Sequence, residues 1–495
     1  MEKKYFLSID RGQTGIKAAF CDMDAEVVAV ASCPCDPLES PKAGWAQQDM
    51  NRIWEQTKTA IARLFSKCDI KPEEIAAISF SGQGGGNFIV SEDGKPVYPG
   101  KVSMDARHEE VMSHFENPEG IPVTNEIGFM LWLKENEPEA YKKSRWILGS
   151  KDWIRYCLTG KANTDMSDTP APVDFKTKEY DKRGCDVIGC PEVKEMLAPL
   201  VYASEVVGAV TKDAAMQTGL IEGTPVVAGA HDMIACSVGA GGIKQGHLAI
   251  IMGTMGINIC VVDKDTEMPE PEIPGKSFTF GGVCEGMRTA TSSISSGCNT
   301  MNWFLDLLFK EEEKEAEERG IPVFALLEEK LLGRKPSKVL FQPYLLGTFY
   351  NSSAKAGLIG IDATTTREDI LLSLFQGICL SMCMEIESLE NRVQKFDDIW
   401  IVGGGSKSKI WGQMFADVLN RPVHIPSTSE VGCRGAAICA GIALGVFDPE
   451  NLPQMSMAKT YEPNADKHAE YMKQMPIYKQ AYEANADIWD QQKKL

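Results

Sequence analysis

Short apolar runs recur along the chain, and each one ends in a polar or glycine-bearing turn. Their length and their flanking turn residues predict buried strands. In the first half, the predicted strands lie at residues 5–9, 16–21, 27–31, 75–79, 146–148 and 225–229. Stretches with helical periodicity lie between the later strands, beginning with a predicted helix over residues 51–67. Strands that alternate with helices predict an α/β layer architecture.

The same order of elements begins again near Gly246. Residues 247–252 predict a strand that runs into the turn Gly253-Thr-Met-Gly256, and residues 257–262 predict the next strand. A chain of 495 residues is also too long for one ordinary domain. We therefore predict a duplicated domain, with the boundary in the glycine-rich segment Gly239-Ala-Gly-Gly-Ile243. The predicted units are residues 1–243, residues 244–455 and a C-terminal helical tail at 456–495.

A long helix is the main element predicted for the second half. The segment Thr365-Thr-Arg-Glu368 fits a capping box, in which a hydroxyl residue and an acidic residue bond each other's backbone. The apolar side chains predicted on one face of this helix are Ile370, Leu374, Ile378, Met382 and Ile386. A strand predicted at residues 397–402 leads into Gly403-Gly-Gly405. The acidic run at residues 311–318 predicts a solvated helix face.

Charge and composition exclude several classes of partner. The net charge is −18, and no basic stretch is long enough to follow a phosphate backbone, so we expect neither nucleic acid nor anionic membrane as a partner. The chain has no unbroken run of about eighteen apolar residues, and its first apolar run is too short for a signal peptide. Fifteen cysteines without an export signal predict free thiols in the cytoplasm. Cys379 and Cys383 share one face of the long helix, where a packing role is expected.

Two glycine-bearing turns follow predicted strands and have the features of phosphate loops. In Asp10-Arg-Gly-Gln-Thr14, Gly12 permits a sharp turn, so that backbone N–H groups and the Thr14 hydroxyl can face a phosphate. Asp10 at the strand end is placed to hold Mg²⁺, directly or through water. Gly253 and Thr254 repeat the arrangement in the second half. Two such loops that face each other across a cleft would clamp the β- and γ-phosphates of a nucleotide.

A third glycine turn suits the other end of a nucleotide. Gly403, Gly404, Gly405 and Ser406 follow a strand and precede a helix that begins near Lys409. Bare glycines let a flat ring slide against the backbone, which suits adenine or ribose. Because the chain has neither the GxGxxG fingerprint nor a Walker A lysine motif, a dinucleotide-binding fold and a P-loop are disfavoured.

Asp232 is the candidate catalytic base. It follows a predicted strand in Ala228-Gly-Ala-His-Asp232, where small neighbours leave room for a substrate hydroxyl. Accepting the proton of a hydroxyl as it attacks phosphorus is the task of a kinase base. The alternative is a helix N-cap for the residues from Ile234 onward, and the residues alone do not decide between the two roles. His231 is expected to be a packed neighbour.

Several segments, in order over residues 4–450, are similar to motifs of the FGGY carbohydrate kinases. They are Asp10-Arg-Gly-Gln-Thr-Gly-Ile-Lys17, Gly44-Trp-Ala-Gln-Gln-Asp49, Lys151-Asp-Trp-Ile-Arg-Tyr-Cys-Leu-Thr-Gly160, Thr164-Asp165 with Ser167-Asp168, Gly357-Leu-Ile-Gly-Ile361 through Gln376-Gly377, and Gly403-Gly-Gly-Ser-Lys-Ser408 with Trp411, Gln413, Ala416-Asp417 and Arg421-Pro-Val423. The sequence departs from the family at two positions. Gln13 stands where the family usually has threonine, and Phe129 where the first family signature has lysine.

The resemblance implies two actin-like, ribonuclease-H-like domains with ATP and Mg²⁺ in the cleft between them. It implies Asp232 as the base and Asp10 as the metal ligand. It places Thr14, Gly253 and Thr254 at the phosphates and Gly404 and Gly405 at the adenosine end. With the glycine turns as a whole, the residues predicted to contact ATP are Gly12, Gln13, Thr14, Gly253, Thr254, Gly403, Gly404, Gly405 and Ser406. It also implies a homo-oligomer.

The acceptor is predicted from the segment Ser81-Gly-Gln-Gly-Gly-Gly86. It has neither the arginine–glutamate pair of glycerol kinases nor the histidine of xylulokinases, and it looks closer to the L-xylulose and erythritol kinase branch. Gln83 would bond a substrate hydroxyl, while Gly84 and its neighbours would widen the pocket or offer backbone amides. Asp105 and Arg107 match a family Asp-x-Arg motif and would either contact the sugar or form a structural ion pair. The predicted acceptor is a four- or five-carbon ketose or polyol, such as xylulose or erythritol.

Two other functions fit the same fold. A non-catalytic sugar or nucleotide sensor would need no base, so the presence of Asp232 and of the glycine loops argues against it. An actin-like ATPase would hydrolyse ATP without an acceptor, and nothing in the chain resembles a peptide-binding domain or a polymerising insert.

Overall fold

The computed structural model describes residues 3–112, 117, 120–269 and 277–493. The strands of the first half are β1 (Tyr5–Arg11), β2 (Gly15–Asp22), β3 (Val27–Pro34), β4 (Gln47–Gln48), β5 (Ile75–Gly82), β6 (Gly86–Val90), β7 (Gly100–Val102), β8 (Trp146–Leu148), β9 (Thr164–Asp165), β10 (Val173–Asp174), β11 (Glu179–Tyr180), β12 (Leu200–Val201), β13 (Val206–Ala209), β14 (Pro225–Val227) and β15 (Ala230–His231). Its helices are α1 (Met50–Phe65), α2 (Arg107–Met112), α3 (Asn125–Asn136), α4 (Pro138–Lys143), α5 (Ser150–Thr159), α6 (Arg183–Val187), α7 (Lys212–Thr218) and α8 (Asp232–Gly239), with 3-10 turns at Pro72–Glu74 and Pro191–Glu195.

The second half has the same mixture of strands and helices. Its strands are β16 (His247–Met252), β17 (Gly256–Asp263), β18 (Ser277–Gly281), β19 (Met287–Ile294), β20 (Leu340–Pro343), β21 (Ala356–Ile359), β22 (Asp398–Val402), β23 (Val423–Pro426) and β24 (Met457–Tyr461). Its helices are α9 (Cys298–Leu308), α10 (Lys310–Arg319), α11 (Val323–Leu331), α12 (Arg367–Arg392), α13 (Lys409–Leu419), α14 (Val431–Ala443) and α15 (Ala465–Gln492), with a 3-10 turn at Gly404–Lys407.

Two mixed sheets organise the molecule and repeat one pattern. The first has the order β13-β14-β5-β1-β2-β3, and the second has the order β18-β19-β17-β16-β22-β23-β24. In the first sheet, β1 is antiparallel to β2 and parallel to β5, and β5 is parallel to β14. In the second, β16 is antiparallel to β17 and parallel to β22, which is parallel to β23. The repeat predicted from the sequence is therefore present in the sheets.

Two helices cross between the sheets and join the domains. Helix α14 packs on β1 and β5 of the first sheet, while α8 packs on β16 and β17 of the second. The two helices also touch each other through glycines. A Cβ on Gly435 would lie 1.9 Å from the carbonyl oxygen of Ala235, and a Cβ on Gly239 would lie 2.0 Å from that of Val431. Because only glycine permits backbones to approach this closely, the crossing depends on these two positions.

Several elements differ from the predictions in detail. The cap of α12 is Thr366 paired with Asp369, one residue after the predicted box. The segment predicted as a helical tail contains β24, which pairs with β23 at the sheet edge, before α15 begins. In the acidic helix α10, Glu312 is buried and makes two hydrogen bonds with Arg367 rather than facing solvent. A carboxylate paired in this way can be buried, and the periodicity of the run does not reveal its partner.

Helix α12 forms the centre of the core of the second domain. It is long and apolar enough to cross a bilayer, but 83% of its most apolar stretch is buried inside the fold. Cys379 and Cys383 both lie in this core, as expected from their spacing. Helix α12 is therefore buried as a core helix is, and β19 and β20 pack against it.

Candidate functional site

Three strand ends meet at one edge of the first sheet and bring two aspartates together. Strand β5 lies between β1 and β15, with Ser81 opposite Asp10 on one side and opposite Ala230 on the other. Asp232 follows β15 directly and begins α8. The carboxylates of Asp10 and Asp232 interact electrostatically across this edge. The topology therefore assembles at one point two residues that are far apart in sequence.

Asp10 lies where the two domains meet. Its carboxylate accepts a hydrogen bond of 2.8 Å from the Ser81 hydroxyl. Burial raises its pKa from 3.8 to about 6, and the charges of Asp232 and Glu430 add to the effect. Lys17 opposes this rise, and its ammonium group forms a 2.6 Å ion pair with Glu430 of the second domain. Asp10 is half-buried, and a carboxylate in such a position with few hydrogen-bond donors is suited to take up a cation.

Replacing Asp10 with asparagine is expected to stabilise the protein at alkaline pH. The pKa of this group is higher in the folded protein than its ordinary value. Folding therefore favours the protonated carboxyl, and the free energy of unfolding falls as the pH rises through the interval between the two values. The melting temperature of Asp10→Asn should exceed that of the parent at pH 8, with the difference vanishing near pH 4. A lower melting temperature at pH 8 would show that the Asp10 charge stabilises the fold.

Asp232 is open to the cleft. It is the first residue of α8, and His231 occupies the N-cap position that the sequence allowed for Asp232. One carboxylate oxygen accepts the N–H of Met233 at 2.6 Å, while 43% of the side chain remains exposed. The partial loss of surrounding water at this position raises the pKa of Asp232, opposed by His231 and by the Met233 amide. The arrangement leaves carboxylate oxygen available to a substrate hydroxyl.

The first of the predicted phosphate loops follows β1 directly. The N–H of Gly12 donates to the carbonyl of Gly15 at 3.0 Å, which closes the turn. Thr14, in the same turn, is exposed. The side-chain amide of Gln13 donates to the Met104 sulfur at 3.3 Å. Gln13 therefore reaches toward the acceptor side of the first domain rather than into its own loop.

The other two glycine loops share one edge of the second sheet, because β16 and β22 are parallel neighbours. The N–H of Gly253 donates to the Met255 carbonyl at 3.0 Å and closes the turn that contains Thr254. Gly403 has φ +86°, and a Cβ there would lie 2.8 Å from the Met252 carbonyl oxygen. A Cβ on Gly404, by contrast, would meet no atom within 4 Å. Gly404 therefore offers an open backbone surface of the kind that a flat ring requires.

Two further residues close the turn of this third loop. A Cβ on Gly405 would lie 2.7 Å from the Cβ of Met252, so this glycine packs against β16. The Ser406 hydroxyl donates to the Gly403 carbonyl at 2.7 Å. These contacts fix the loop and leave Gly404 as its open face.

The predicted acceptor loop is held by carboxylates. The N–H of Gly85 donates to Asp168 at 2.9 Å, and the N–H of Gly86 donates to Glu126 at 3.1 Å. A Cβ on Gly84 would lie 2.3 Å from Nε2 of His231, so the imidazole fills the space beside this glycine. The sequence had suggested that these glycines widen the pocket or offer backbone amides to the substrate. The structure instead fills the space beside Gly84 with His231 and pairs the amides of Gly85 and Gly86 with carboxylates. The Gln83 side chain is nearly buried, and within the described part of the chain its Nε2 has no partner.

Asp105 and Arg107 form a buried ion pair, which is the second of the two roles considered for them. Both side chains are fully buried, and their charged atoms lie 2.8 Å apart. Asp105 also accepts the N–H of Ala46 at 2.6 Å. The Arg107 guanidinium lies over four aromatic rings, those of Trp45, Tyr98, Phe129 and Trp132. Phe129, which departs from the family signature, is therefore part of the wall around this pair.

A buried charge cluster beneath the acceptor loop was not anticipated from the sequence. Its members are Lys151, Asp152, Arg155, Asp165 and Asp168, which are buried or nearly so. Although burial opposes the charge of Lys151, the three aspartates outweigh it and raise the pKa of the lysine. The cluster reaches the loop through Asp168, and it reaches β15 through Ser167, whose hydroxyl accepts the N–H of His231 at 2.9 Å. The signal available in the sequence was one lysine near three aspartates in consecutive motifs.

The donors at the cleft suit a hydrated magnesium ion better than a protein-caged metal. Among the residues that the structure describes, no group of three or more metal-binding side chains occurs. Mg²⁺ at phosphoryl-transfer sites usually takes one or two carboxylates and completes its shell with water and phosphate oxygens. Asp10 provides one carboxylate donor of that kind.

The fold and the site together define an ATP-dependent phosphotransferase with two actin-like domains. The family models for the N-terminal and C-terminal domains of the FGGY carbohydrate kinases match residues 5–239 and 248–444. The chain belongs to the FGGY family of carbohydrate kinases. As a member, it is a carbohydrate kinase, and kinases of this family use ATP as the phosphate donor.

Relatives with named activities match almost the whole chain. A probable L-xylulose kinase of Haemophilus influenzae is 28% identical over 499 residues, covering 97% of this chain and 99% of the relative. The L-xylulose/3-keto-L-gulonate kinase of Escherichia coli is 27% identical, with 96% of each chain covered. Among solved structures, the ligand-bound xylulose kinase of Lactobacillus acidophilus superposes with a TM-score of 0.86 at 23% identity, covering 99% of each chain. The last comparison confirms the fold.

Proposed function

We propose that this protein transfers the γ-phosphoryl group of ATP to a terminal hydroxyl of a four- or five-carbon ketose or polyol, such as xylulose or erythritol. The observation that carries the proposal is the position of Asp232 and Asp10 on either side of the end of β5, beside the acceptor loop. The names of the L-xylulose kinase relatives support an acceptor of this size.

In the proposed reaction, each residue at the cleft has one task. Asp232 accepts a hydrogen bond from the attacking hydroxyl and takes its proton as the bond to phosphorus forms. Gln83 donates its unpartnered amide to another hydroxyl of the acceptor. Asp10 is the residue that would hold Mg²⁺, which when bound neutralises charge on the β- and γ-phosphates. The Gly12–Thr14 and Gly253–Thr254 loops contribute N–H groups to the same phosphates.

Closure of the two domains completes the site. The Lys17–Glu430 pair and the α8–α14 crossing connect the domains close to Asp10. Movement about this contact would bring the two glycine-loop edges together around the phosphates. Closure would also exclude water, which competes with the sugar for the phosphoryl group.

Gly404 is expected to mark the adenosine end of the nucleotide site. Replacing Gly404 by alanine should raise KM for ATP several-fold without lowering the melting temperature, since the new methyl group faces open space. Gly405→Ala is the matched control, because its methyl group would collide with Met252 and should lower the melting temperature instead. Thermal melts and ATP titrations of both variants make the comparison. An unchanged KM for ATP in a folded Gly404→Ala variant would contradict the assignment.

The proposed function is tested by ADP release from Mg²⁺-ATP against a panel of acceptors. The panel contains D- and L-xylulose, D- and L-ribulose, erythritol, the pentitols and glycerol, with a control that lacks any acceptor. Strong stimulation by one or two of the four- and five-carbon compounds is the expected result. Steady ADP release that no acceptor stimulates would indicate an ATPase, and binding without turnover would indicate a sensor.

A further inference from the structure

The imidazole of His231 occupies a fixed position between the acceptor loop and the catalytic aspartate. Its backbone belongs to β15, opposite Gly82 of β5, and its N–H is held by the Ser167 hydroxyl. The ring lies against Gly84 on one side. On another side it meets Phe280 of the second domain, with ring centroids 6.0 Å apart and an angle of 67° between the planes. These contacts leave the ring little freedom to rotate.

Glycine at position 84 is what makes room for this ring. A Cβ at this position would lie between 2.3 and 2.6 Å from three imidazole atoms. Any other residue would therefore displace His231 from its place. The acceptor loop and His231 are thus matched in shape, although the sequence alone gives no sign of their contact.

One nitrogen of the ring lies beside the proposed base. Nε2 of His231 lies 3.3 Å from Oδ1 of Asp232. The other ring nitrogen, Nδ1, is buried and has no partner among the described residues. Nε2 is therefore the atom from which this side chain can reach an acceptor that is bound to Asp232.

The separation of His231 Nε2 and Asp232 Oδ1 suits two hydroxyl groups on adjacent carbons. In a terminal diol, the oxygens on adjacent carbons lie roughly 3 Å apart, close to the length of one hydrogen bond. A diol whose terminal hydroxyl bonds Asp232 therefore brings its second hydroxyl within reach of His231 Nε2. Gln83, at the start of the same loop, remains for a more distant hydroxyl.

We propose that His231 binds the hydroxyl on the carbon next to the one that is phosphorylated, and so selects acceptors that end in a vicinal diol. This inference rests on the proposed function, because it takes Asp232 as the residue that binds the terminal hydroxyl. The contact aligns the terminal oxygen for attack as well as adding affinity. A site that hydrogen-bonds a substrate hydroxyl discriminates against the analogue that lacks it, because a polar group is then left unpaired.

The test compares one accepted substrate with its analogue in which hydrogen replaces that second hydroxyl. For xylulose this analogue is the 4-deoxy sugar, 1,3,5-trihydroxypentan-2-one, in which neither end of the chain carries a vicinal diol. The wild-type enzyme should prefer the parent acceptor by about 10- to 100-fold in kcat/KM, which corresponds to one buried polar group left unpaired. His231→Ala should lose most of this preference by losing rate on the parent acceptor. His231→Gln, which keeps a donor, should retain part of it, and KM for ATP should stay constant in both variants.

A second variant displaces the ring without removing it. Gly84→Ala should resemble His231→Ala in its acceptor preference, and the double variant should be no worse than either single one, since all three remove the same contact. Additive losses, or a His231→Ala enzyme with the wild-type preference, would overturn the inference. These outcomes are distinct from failure of the proposed function, which would appear as the absence of acceptor-stimulated ADP release in the wild-type protein.

Discussion

Asp232→Asn is expected to lower kcat by about 10²–10⁴-fold, the usual contribution of a general base. The asparagine side chain has nearly the same shape, and its oxygen can still accept the Met233 N–H that Asp232 accepts. What it loses is the ability to take a proton from the attacking hydroxyl. The measurement is steady-state ADP release with saturating acceptor, together with equilibrium binding of ATP.

ATP binding to Asp232→Asn should remain close to that of the parent, since Asp232 interacts with the acceptor hydroxyl rather than with the nucleotide. Asp213→Asn is a suitable control, because Asp213 is an exposed residue of α7 whose carboxylate accepts a hydrogen bond from Gln217, far from the predicted site in the sequence. The control should keep full activity. Near-normal turnover in Asp232→Asn would exclude this residue as the base.

Lys151→Met is expected to have the largest effect on stability. Lys151 is fully buried, and its ammonium lies 2.5 Å from Asp165, 3.1 Å from Asp152 and 3.4 Å from Asp168. Removing the lysine leaves buried carboxylates without their main partner, and breaking a buried pair in this way costs about 3–5 kcal/mol. Arg155, which contacts only Asp152 in this group, cannot neutralise all three. Denaturant unfolding at neutral pH measures the loss.

The matched control is Lys142→Met, which breaks a 2.9 Å pair with Glu139 at a site where both side chains are at least 70% exposed. It should leave the free energy of unfolding nearly unchanged, because exposed ion pairs contribute little to stability. Lys151→Met should also lower activity, because the cluster anchors the N–H of Gly85 and, through Ser167, the N–H of His231. Equal stability of the two variants would mean that the cluster does not depend on the lysine charge.

The strands and glycine turns were predictable because the signal for each is local. Apolar runs mark β1, β5, β16 and β22 in the sequence. The glycine turns that follow β1, β16 and β22 begin within a few residues of the end of each strand. The resemblance to the family rests on the same local segments. The boundaries were less predictable: the cap at Thr366 is one residue from its predicted place, because three consecutive threonines compete for it.

The contacts that give the site its chemistry were less accessible to sequence reasoning. His231 was expected to be a packed neighbour, but the sequence did not identify what it packs against. Its position depends on Gly84, on Phe280 of the other domain and on Ser167. The prediction that the acceptor glycines widen the substrate pocket was wrong at Gly84 for the same reason, since the atoms that fill the space there belong to a distant segment. Pairings of this kind depend on the register of β15 against β5, which no single segment encodes.

The central claim, transfer of phosphate to an acceptor, is tested most directly by measuring ADP and inorganic phosphate together in one reaction with the best acceptor of the panel. The account predicts that ADP release rises strongly with the acceptor while inorganic phosphate stays at the background level, because the phosphoryl group is on the sugar. Release of inorganic phosphate in equal amount to ADP, with or without acceptor, would contradict it and identify water as the acceptor.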